Sequence, residues 1–159
     1  MDAIVLLKND HKTVEKLFKK FEKESKDGTS GCGGLVAEII QELTTHTFIE
    51  ETIFYPAARE AVPDTTEHVL ESIEEHHIVT WMLSELGGLD AADESYKAKM
   101  MVLMENVRHH VQEEEQDWFP KVRAAVGRKV LGELGDQLEA AKQNAPADPL
   151  EVRSARARA

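Results

Sequence analysis

The sequence is poor in cysteine, proline and aromatic residues. Its single cysteine, Cys32, excludes an internal disulfide, and there is no CxxC pair. This usage indicates an intracellular protein whose lone thiol is incidental. Five prolines and an aromatic content of 6% favour helix over sheet. The absences therefore exclude a disulfide-stabilised secreted domain and point to a helical one.

Positive charge and long hydrophobic runs are also scarce. The formal net charge is -11, and nucleic acid and anionic membrane surfaces both require a basic face, so we expect neither as a partner. The first ten residues, MDAIVLLKND, hold a five-residue apolar run and no preceding basic segment. Neither a signal peptide nor a membrane span is predicted, and the cytoplasm is the expected location.

Apolar residues are nevertheless abundant, at 42%, in a chain of 159 residues, which is long enough for one domain with its own core. Breaker-rich stretches at 27–34, 62–66 and 87–93, together with Gly127, separate four long segments with apolar residues at helical spacing. Short connections make neighbouring helices antiparallel. The pattern predicts an all-α, up-down-up-down four-helix bundle, a fold whose core can hold a metal.

The chain continues beyond these four segments. Residues 128–144 predict a shorter fifth helix, weakened by two glycines, whose leucines Leu131, Leu134 and Leu138 can pack on the bundle. We expect residues 1–145 to form the bundle with this helix, and residues 146–159 to form a flexible tail.

An internal repeat runs through the four segments. When Pro56 is aligned with Pro120, a shift of 64 residues, the second and fourth segments share one motif. The motif is HxxxEExx followed by two aromatic residues and a proline. The same duplication makes His11 of the first segment equivalent to His76 of the third. The chain is thus a duplicated helical hairpin.

The spacing within the repeat has a chemical meaning. Residues four apart lie on one face of a helix, so His46 with Glu50, and His110 with Glu114, can point to one place inside the bundle. Buried carboxylates are costly unless they share something cationic. Four histidines and two glutamates suit two first-row metal ions: the predicted ligands are His11, His46, Glu50, His76, His110 and Glu114. The alternative is a set of core histidines satisfied by neighbouring glutamates.

Several residues near these six keep open roles. His109 with Glu113 has the same spacing as His110 with Glu114, although the proline alignment favours His110. Glu51 and Glu115 lie one step off the inward face and either hydrogen-bond the ligand histidines or bind metal. Metal contact is also open for Glu15 and His77. Phe54 and Trp118 follow the glutamates by one turn and either wall a pocket or pack in the core.

Through its motifs HxxxEExxFYP and HxxxEEQDWFP, the sequence resembles the hemerythrin-like, or HHE cation-binding, domain family from residue 3 to about residue 126. The resemblance implies a non-haem centre of two iron ions, bridged by oxide, hydroxide or carboxylate, with the same six residues as ligands. Iron is favoured over manganese or zinc. The implied partner is a small oxidant, namely dioxygen, hydrogen peroxide or nitric oxide, and the implied state is a monomer or weak homo-oligomer.

The sequence also departs from the oxygen-carrying members of that family. They have five histidines, with HxxxH in the third helix and HxxxxD in the fourth, whereas this chain has HxxxE in the fourth and no histidine four residues from His76 or His77. A richer carboxylate content favours redox turnover or iron handling by analogy. We expect the protein to react with small oxidants, and a catalase- or peroxidase-like activity is one possibility. The alternative is a non-enzymatic role, as an oxygen or nitric oxide sensor or as an iron-binding module.

Overall fold

A computed structural model describes residues 1–158, and within that range the chain is helical and forms no strand. Four long helices form the bundle, and shorter helices extend or cap it. The helices are α1 (Ala3–Glu24), α2 (Gly33–Ile49), α3 (Tyr55–Ala61), α4 (Thr66–Gly87), α5 (Tyr96–Glu113), α6 (Phe119–Val126), α7 (Arg128–Ala141) and α8 (Glu151–Arg158). The predicted four-helix bundle with a short C-terminal helix is confirmed.

Local chemistry explains where the helices begin and end. Asp2 caps α1, because its carboxylate accepts hydrogen bonds from the amides of Ile4 and Val5 at 2.8 and 3.2 Å. Gly127 separates α6 from α7 with φ = 81°, a backbone angle that glycine adopts without a steric penalty. The four predicted breaker regions therefore coincide with the turns between helices.

The repeated HxxxEE segments contain a local change of helix type. Residues Glu50–Phe54 and Glu114–Trp118 form π-helical turns that join α2 to α3 and α5 to α6. In each turn an amide five residues ahead donates to the glutamate carbonyl, from Tyr55 to Glu50 and from Phe119 to Glu114. Proline follows each of these aromatic residues. Single π turns of this kind are frequent at functional sites.

Two apolar clusters fill the bundle, one on each side of a polar layer. One joins the start of α1 to α3, α6 and α7, and includes the three leucines predicted to pack from the fifth helix. The other lies toward the opposite ends of α1, α2, α4 and α5 and includes Cys32, whose thiol is buried. The histidines and glutamates of the repeat lie between these two clusters.

The C-terminal residues also pack on the bundle. Residues 151–158, inside the segment predicted as a flexible tail, form helix α8, and Val152 of that helix is buried. The division of the chain at residue 145 stays a prediction. Among residues 1–158, no helix has the length and apolar character that a membrane crossing requires.

Candidate metal centre

The six predicted ligand residues meet in the middle of the bundle, on α1, α2, α4, α5 and the two π turns. All six are buried. They form two overlapping sets in which the potential ligand atoms lie within 4.8 Å of one another: His11, His46, Glu50 and Glu114 in one set, and Glu50, His76 and His110 in the other. Glu50 belongs to both sets.

The two sets have matching geometry. The Nε2 atoms of His11 and His46 lie 3.2 Å apart, and so do the Nε2 atoms of His76 and His110. Glu50 Oε1 lies 2.7 Å from His46 Nε2 in the first set. The same oxygen lies 3.6 Å from His76 Nε2 in the second set. Each imidazole pair is therefore within reach of a shared carboxylate.

Glu114 makes the equivalent contacts from the other half of the repeat. Its Oε1 lies 2.9 Å from His110 Nε2 and 3.7 Å from His11 Nε2. The two glutamates thus reach across between the two histidine pairs in opposite directions. Each glutamate therefore lies near one histidine of each pair.

A carboxylate faces the outer nitrogen, Nδ1, of each histidine. The four pairs and their distances are His11–Glu115 at 2.7 Å, His46–Asp10 at 3.3 Å, His76–Glu51 at 2.9 Å and His110–Glu75 at 3.5 Å. Hydrogen bonds to such carboxylates orient an imidazole and fix which nitrogen carries its proton, and His11, His46 and His76 each have one. His110 Nδ1 has no hydrogen bond in the described chain, although Glu75 lies near it. The Nε2 atoms of all four rings face the centre.

Two of these carboxylates were missed by the sequence reasoning. Asp10 and Glu75 immediately precede His11 and His76, so an acidic residue before the first histidine of each repeat was the available signal. Each acts on the histidine of the following segment because the bundle brings the helices side by side. Glu51 and Glu115, by contrast, were considered either as hydrogen-bond partners of the ligand histidines or as metal ligands. In the structure they contact histidine Nδ1 atoms, which is the first of these roles.

The C-terminal segment contacts the same outer layer. Lys142 Nζ lies 2.7 Å from Asp10 Oδ1, and Arg156 Nε lies 3.8 Å from Glu51 Oε1. Asp10 faces His46 and Glu51 faces His76, so one basic side chain lies behind each histidine pair. The repeat alone would not predict these contacts, since neither Lys142 nor Arg156 belongs to it.

The centre is electrostatically unbalanced as a set of protein groups. Glu50 and Glu114 are both fully buried. Both oxygens of Glu50 lie close to imidazoles or to Glu114, yet no contact in the described chain has the geometry of a hydrogen bond to them. Burial, and then the charge of Glu114, raise the pKa of Glu50 well above its ordinary value. A bound cation would relieve both effects.

An aromatic ring stacks on one histidine in each half. Phe119 stacks on His11 with ring centroids 6.0 Å apart, and its equivalent, Tyr55, stacks on His76 at 5.3 Å. The Tyr55 hydroxyl lies 3.1 Å from His76 Nε2 and 3.3 Å from Glu114 Oε2. Tyr55 is therefore a polar group of the site, and the tyrosine–phenylalanine difference between the repeats is its sequence signal.

A small cavity of about 20 Å³ adjoins the four histidines. Its other walls are Val14, Leu43, Thr47, Val79, Val107 and Val111. On the same measure a single water molecule needs about 10–15 Å³, so the space suits a very small molecule. Phe54 and Trp118 lie instead in the apolar cluster beside α3 and α6, which is the packing role considered for them.

The remaining candidates lie outside the central cluster. His109 is 64% exposed at its side chain and pairs with Glu113 at 3.0 Å, so the structure brings His110 to the centre. His77 pairs with Glu74 at 3.0 Å at the surface. Glu15 accepts two hydrogen bonds from Arg108, at 3.0 Å each, where the sequence left a metal contact open.

Fold and site together define a class: a four-helix bundle with a buried histidine–glutamate cluster able to hold a cation. Comparison with family models matches residues 2–122 to the hemerythrin HHE cation binding domain. The chain belongs to this hemerythrin HHE cation-binding domain family. The resemblance inferred from the repeated motif is thereby confirmed.

One solved structure supports the fold across the whole chain. It is the crystal structure of a hemerythrin HHE cation binding domain-containing protein from Mycobacterium kansasii, with a TM-score of 0.76 and 24% identity. The match covers 99% of this chain and 98% of that one. At this identity the likeness concerns the fold. A comparison with curated proteins gives no match.

Proposed function

We propose that His11, His46, Glu50, His76, His110 and Glu114 hold two iron ions, and that the protein binds and reacts with small oxidants. Hydrogen peroxide is the first candidate, in a catalase- or peroxidase-like reaction, and dioxygen and nitric oxide are the others. The observation that supports this most is the pairing of histidine Nε2 atoms at 3.2 Å in each half, with carboxylates reaching between the pairs.

The donor set fits a pair of metal ions. Each pair of histidine nitrogens, 3.2 Å apart and with a glutamate oxygen within 2.9 Å of one of them, would hold one ion. The alternative, a metal-free core of imidazoles satisfied by glutamates, would leave two fully buried carboxyl groups side by side, and the raised pKa of Glu50 reflects that cost. Mixed imidazole and carboxylate donors suit iron better than manganese or zinc.

When bound, the iron pair would supply Lewis acidity and store electrons for redox chemistry. The chain's own groups would do the rest. Tyr55 holds a proton at its hydroxyl oxygen, because burial and the charges of Glu114 and Glu50 raise the pKa of the phenol well above its ordinary value. That hydroxyl oxygen lies within 3.3 Å of His76 Nε2, His110 Nε2 and Glu114 Oε2. The small cavity excludes organic substrates.

The peroxide reaction can be tested on iron-loaded protein. We expect two iron ions per chain by elemental analysis and oxygen evolution on addition of hydrogen peroxide. His110→Ala should lose both, whereas the matched control His109→Ala should keep both, since His109 is exposed and outside the cluster. Activity no greater than that of free iron, or equal loss in both variants, would refute the proposal.

The reaction with dioxygen distinguishes a non-enzymatic role from an enzymatic one. A sensor or carrier would give a spectral change on oxygen addition that reverses when oxygen is removed. A redox enzyme would be oxidised and would need a reductant to recover its starting spectrum. Stopped-flow absorption of the reduced protein followed by oxygen removal therefore distinguishes a binding module from turnover.

A further inference from the structure

The bundle has one loosely packed seam. Neighbouring long helices approach closely at α1–α2, α2–α4 and α4–α5, whereas α1 and α5 approach least. An open groove of about 440 Å³ lies along this seam. On its floor it reaches His11 of the central cluster.

The groove and the small inner cavity share their dividing wall. His11, Val14, Val107 and Val111 line both spaces. Three valine side chains therefore separate bulk solvent from the space that adjoins the four histidines. Val111 is only half-buried, whereas Val14 and Val107 are buried. A modest side-chain rotation at this wall would join groove and cavity.

The duplicated seam shows why the opening is on one side. The repeat places Thr47 of the α2–α4 seam at the position of Val111, and Thr44 at that of Arg108. Both threonines are buried and donate hydrogen bonds to backbone carbonyls of their own helix. Small, internally satisfied side chains let α2 and α4 close together, whereas the larger Arg108 and Val111 occupy the equivalent places between α1 and α5.

Arg108 bridges the outer part of the open seam. From α5 its guanidinium donates to Glu15 at 3.0 Å and to Glu22 at 2.7 Å, both on α1. It also lies 5.5 Å above the ring of Phe18. These contacts are partly exposed to solvent, so their individual strength is small. They tie the two helices together beside the groove without filling it.

A second groove offers a competing path. It has a volume of about 630 Å³ and reaches Glu51 and Tyr55, with Leu70 on its rim. None of its lining residues belongs to the wall of the inner cavity. This groove therefore approaches the site at Glu51 and Tyr55 and shares no wall with the cavity beside the histidines.

We infer that the α1–α5 groove is the entrance for small oxidants, and that Val14, Val107 and Val111 form the constriction that selects them by size. The inference rests on the proposed metal centre. It adds residues that determine which molecules arrive, independently of the reaction that follows.

The test uses cobalt(II)-loaded protein, with azide as a narrow three-atom probe, and measures the azide association rate by stopped-flow absorption. Val111→Trp should slow association at least tenfold, and Val111→Ala should accelerate it several-fold. Leu70→Trp, which fills the rim of the competing groove, should leave the rate unchanged. Cobalt content and the spectrum before azide addition should match the parent in all three variants.

Several outcomes would overturn the entrance. An unchanged rate in Val111→Ala contradicts it even where the tryptophan variant fails to fold, and slowing by Leu70→Trp alone assigns entry to the other groove. The proposed function fails separately, when the iron form does not react with peroxide while azide still enters the cobalt form. Failure of the parent to bind cobalt would refute the metal centre and the entrance together.

Discussion

Glu50→Gln is expected to stabilise the metal-free protein while weakening metal binding. Glu50 is fully buried, has no hydrogen bond to either oxygen in the described chain, and faces the like charge of Glu114. The amide has the same shape but no charge, and its NH₂ group can donate to Glu114. In the proposed metal centre, the carboxylate would serve the metal at the expense of the metal-free fold.

The size of the effect follows from the burial of Glu50 beside Glu114. Relief of unsatisfied buried oxygens alone suggests about 1–3 kcal/mol. For a domain of this size, each kcal/mol raises the melting temperature by about 2–4 °C.

The sign of the pH dependence is specific. A raised pKa means that the folded state binds more protons than the unfolded state, so the contribution of Glu50 falls as pH rises from about 4.3 toward its folded pKa. Two histidines act in the opposite direction: burial lowers the pKa values of His11 and His76, and their contribution falls as pH drops. His110 acts in the same direction as Glu50, because the charge of Glu114 outweighs burial and raises the pKa of that imidazole well above its ordinary value. The advantage of Glu50→Gln over the parent should consequently grow from pH 5 to pH 7. His110 adds to this trend, because the charge of Glu50 contributes to the raised pKa of that histidine in the parent.

Thermal denaturation of chelator-treated parent and variant between pH 5 and pH 7 measures this difference. Glu113→Gln is the matched control, since it removes a charge one residue before the second repeat's glutamate pair, and we expect a change within about 0.5 kcal/mol. Metal addition should raise the melting temperature of the parent more than that of Glu50→Gln. A variant no more stable than the parent at pH 7, or an advantage that does not vary with pH, would refute the reasoning.

The bundle and the central cluster were predictable because both depend on local spacing. Apolar periodicity defines the helices, and residues four apart share a face, so His46 with Glu50 could be placed without a structure. The duplication resolved the register, because aligning Pro56 with Pro120 favours His110 over its neighbour His109. The structure then buries the first and exposes the second.

The outer layer depends on contacts between distant segments, which spacing cannot encode. Asp10 faces a histidine 36 positions away, and Lys142 reaches Asp10 across 132 positions. Likewise, the side chains that line the inner cavity come from four helices. The sequence suggested the aromatic residues Phe54 and Trp118 as its walls, whereas in the structure valines are among the residues that line it. Helix packing decided these features, after local sequence had decided the helices.

The hydroxyl of Tyr55 and the two glycines of α7 give two further predictions. Tyr55→Phe should keep the metal content, because Phe119 fills the equivalent place, while the peroxide reaction of the iron form slows by about 10²-fold through loss of a proton donor; an unchanged rate in an oxygen-evolution assay would contradict that role. Gly135→Ala should destabilise by about 1–3 kcal/mol, because a Cβ at this position would overlap the backbone carbonyl oxygen of Met1. Gly132→Ala meets no neighbour within 4 Å and should gain up to about 1 kcal/mol from helix propensity. The two substitutions, three residues apart, should therefore shift the urea midpoint of unfolding in opposite directions. Shifts of the same sign would show that α7 does not pack on the N-terminal residues.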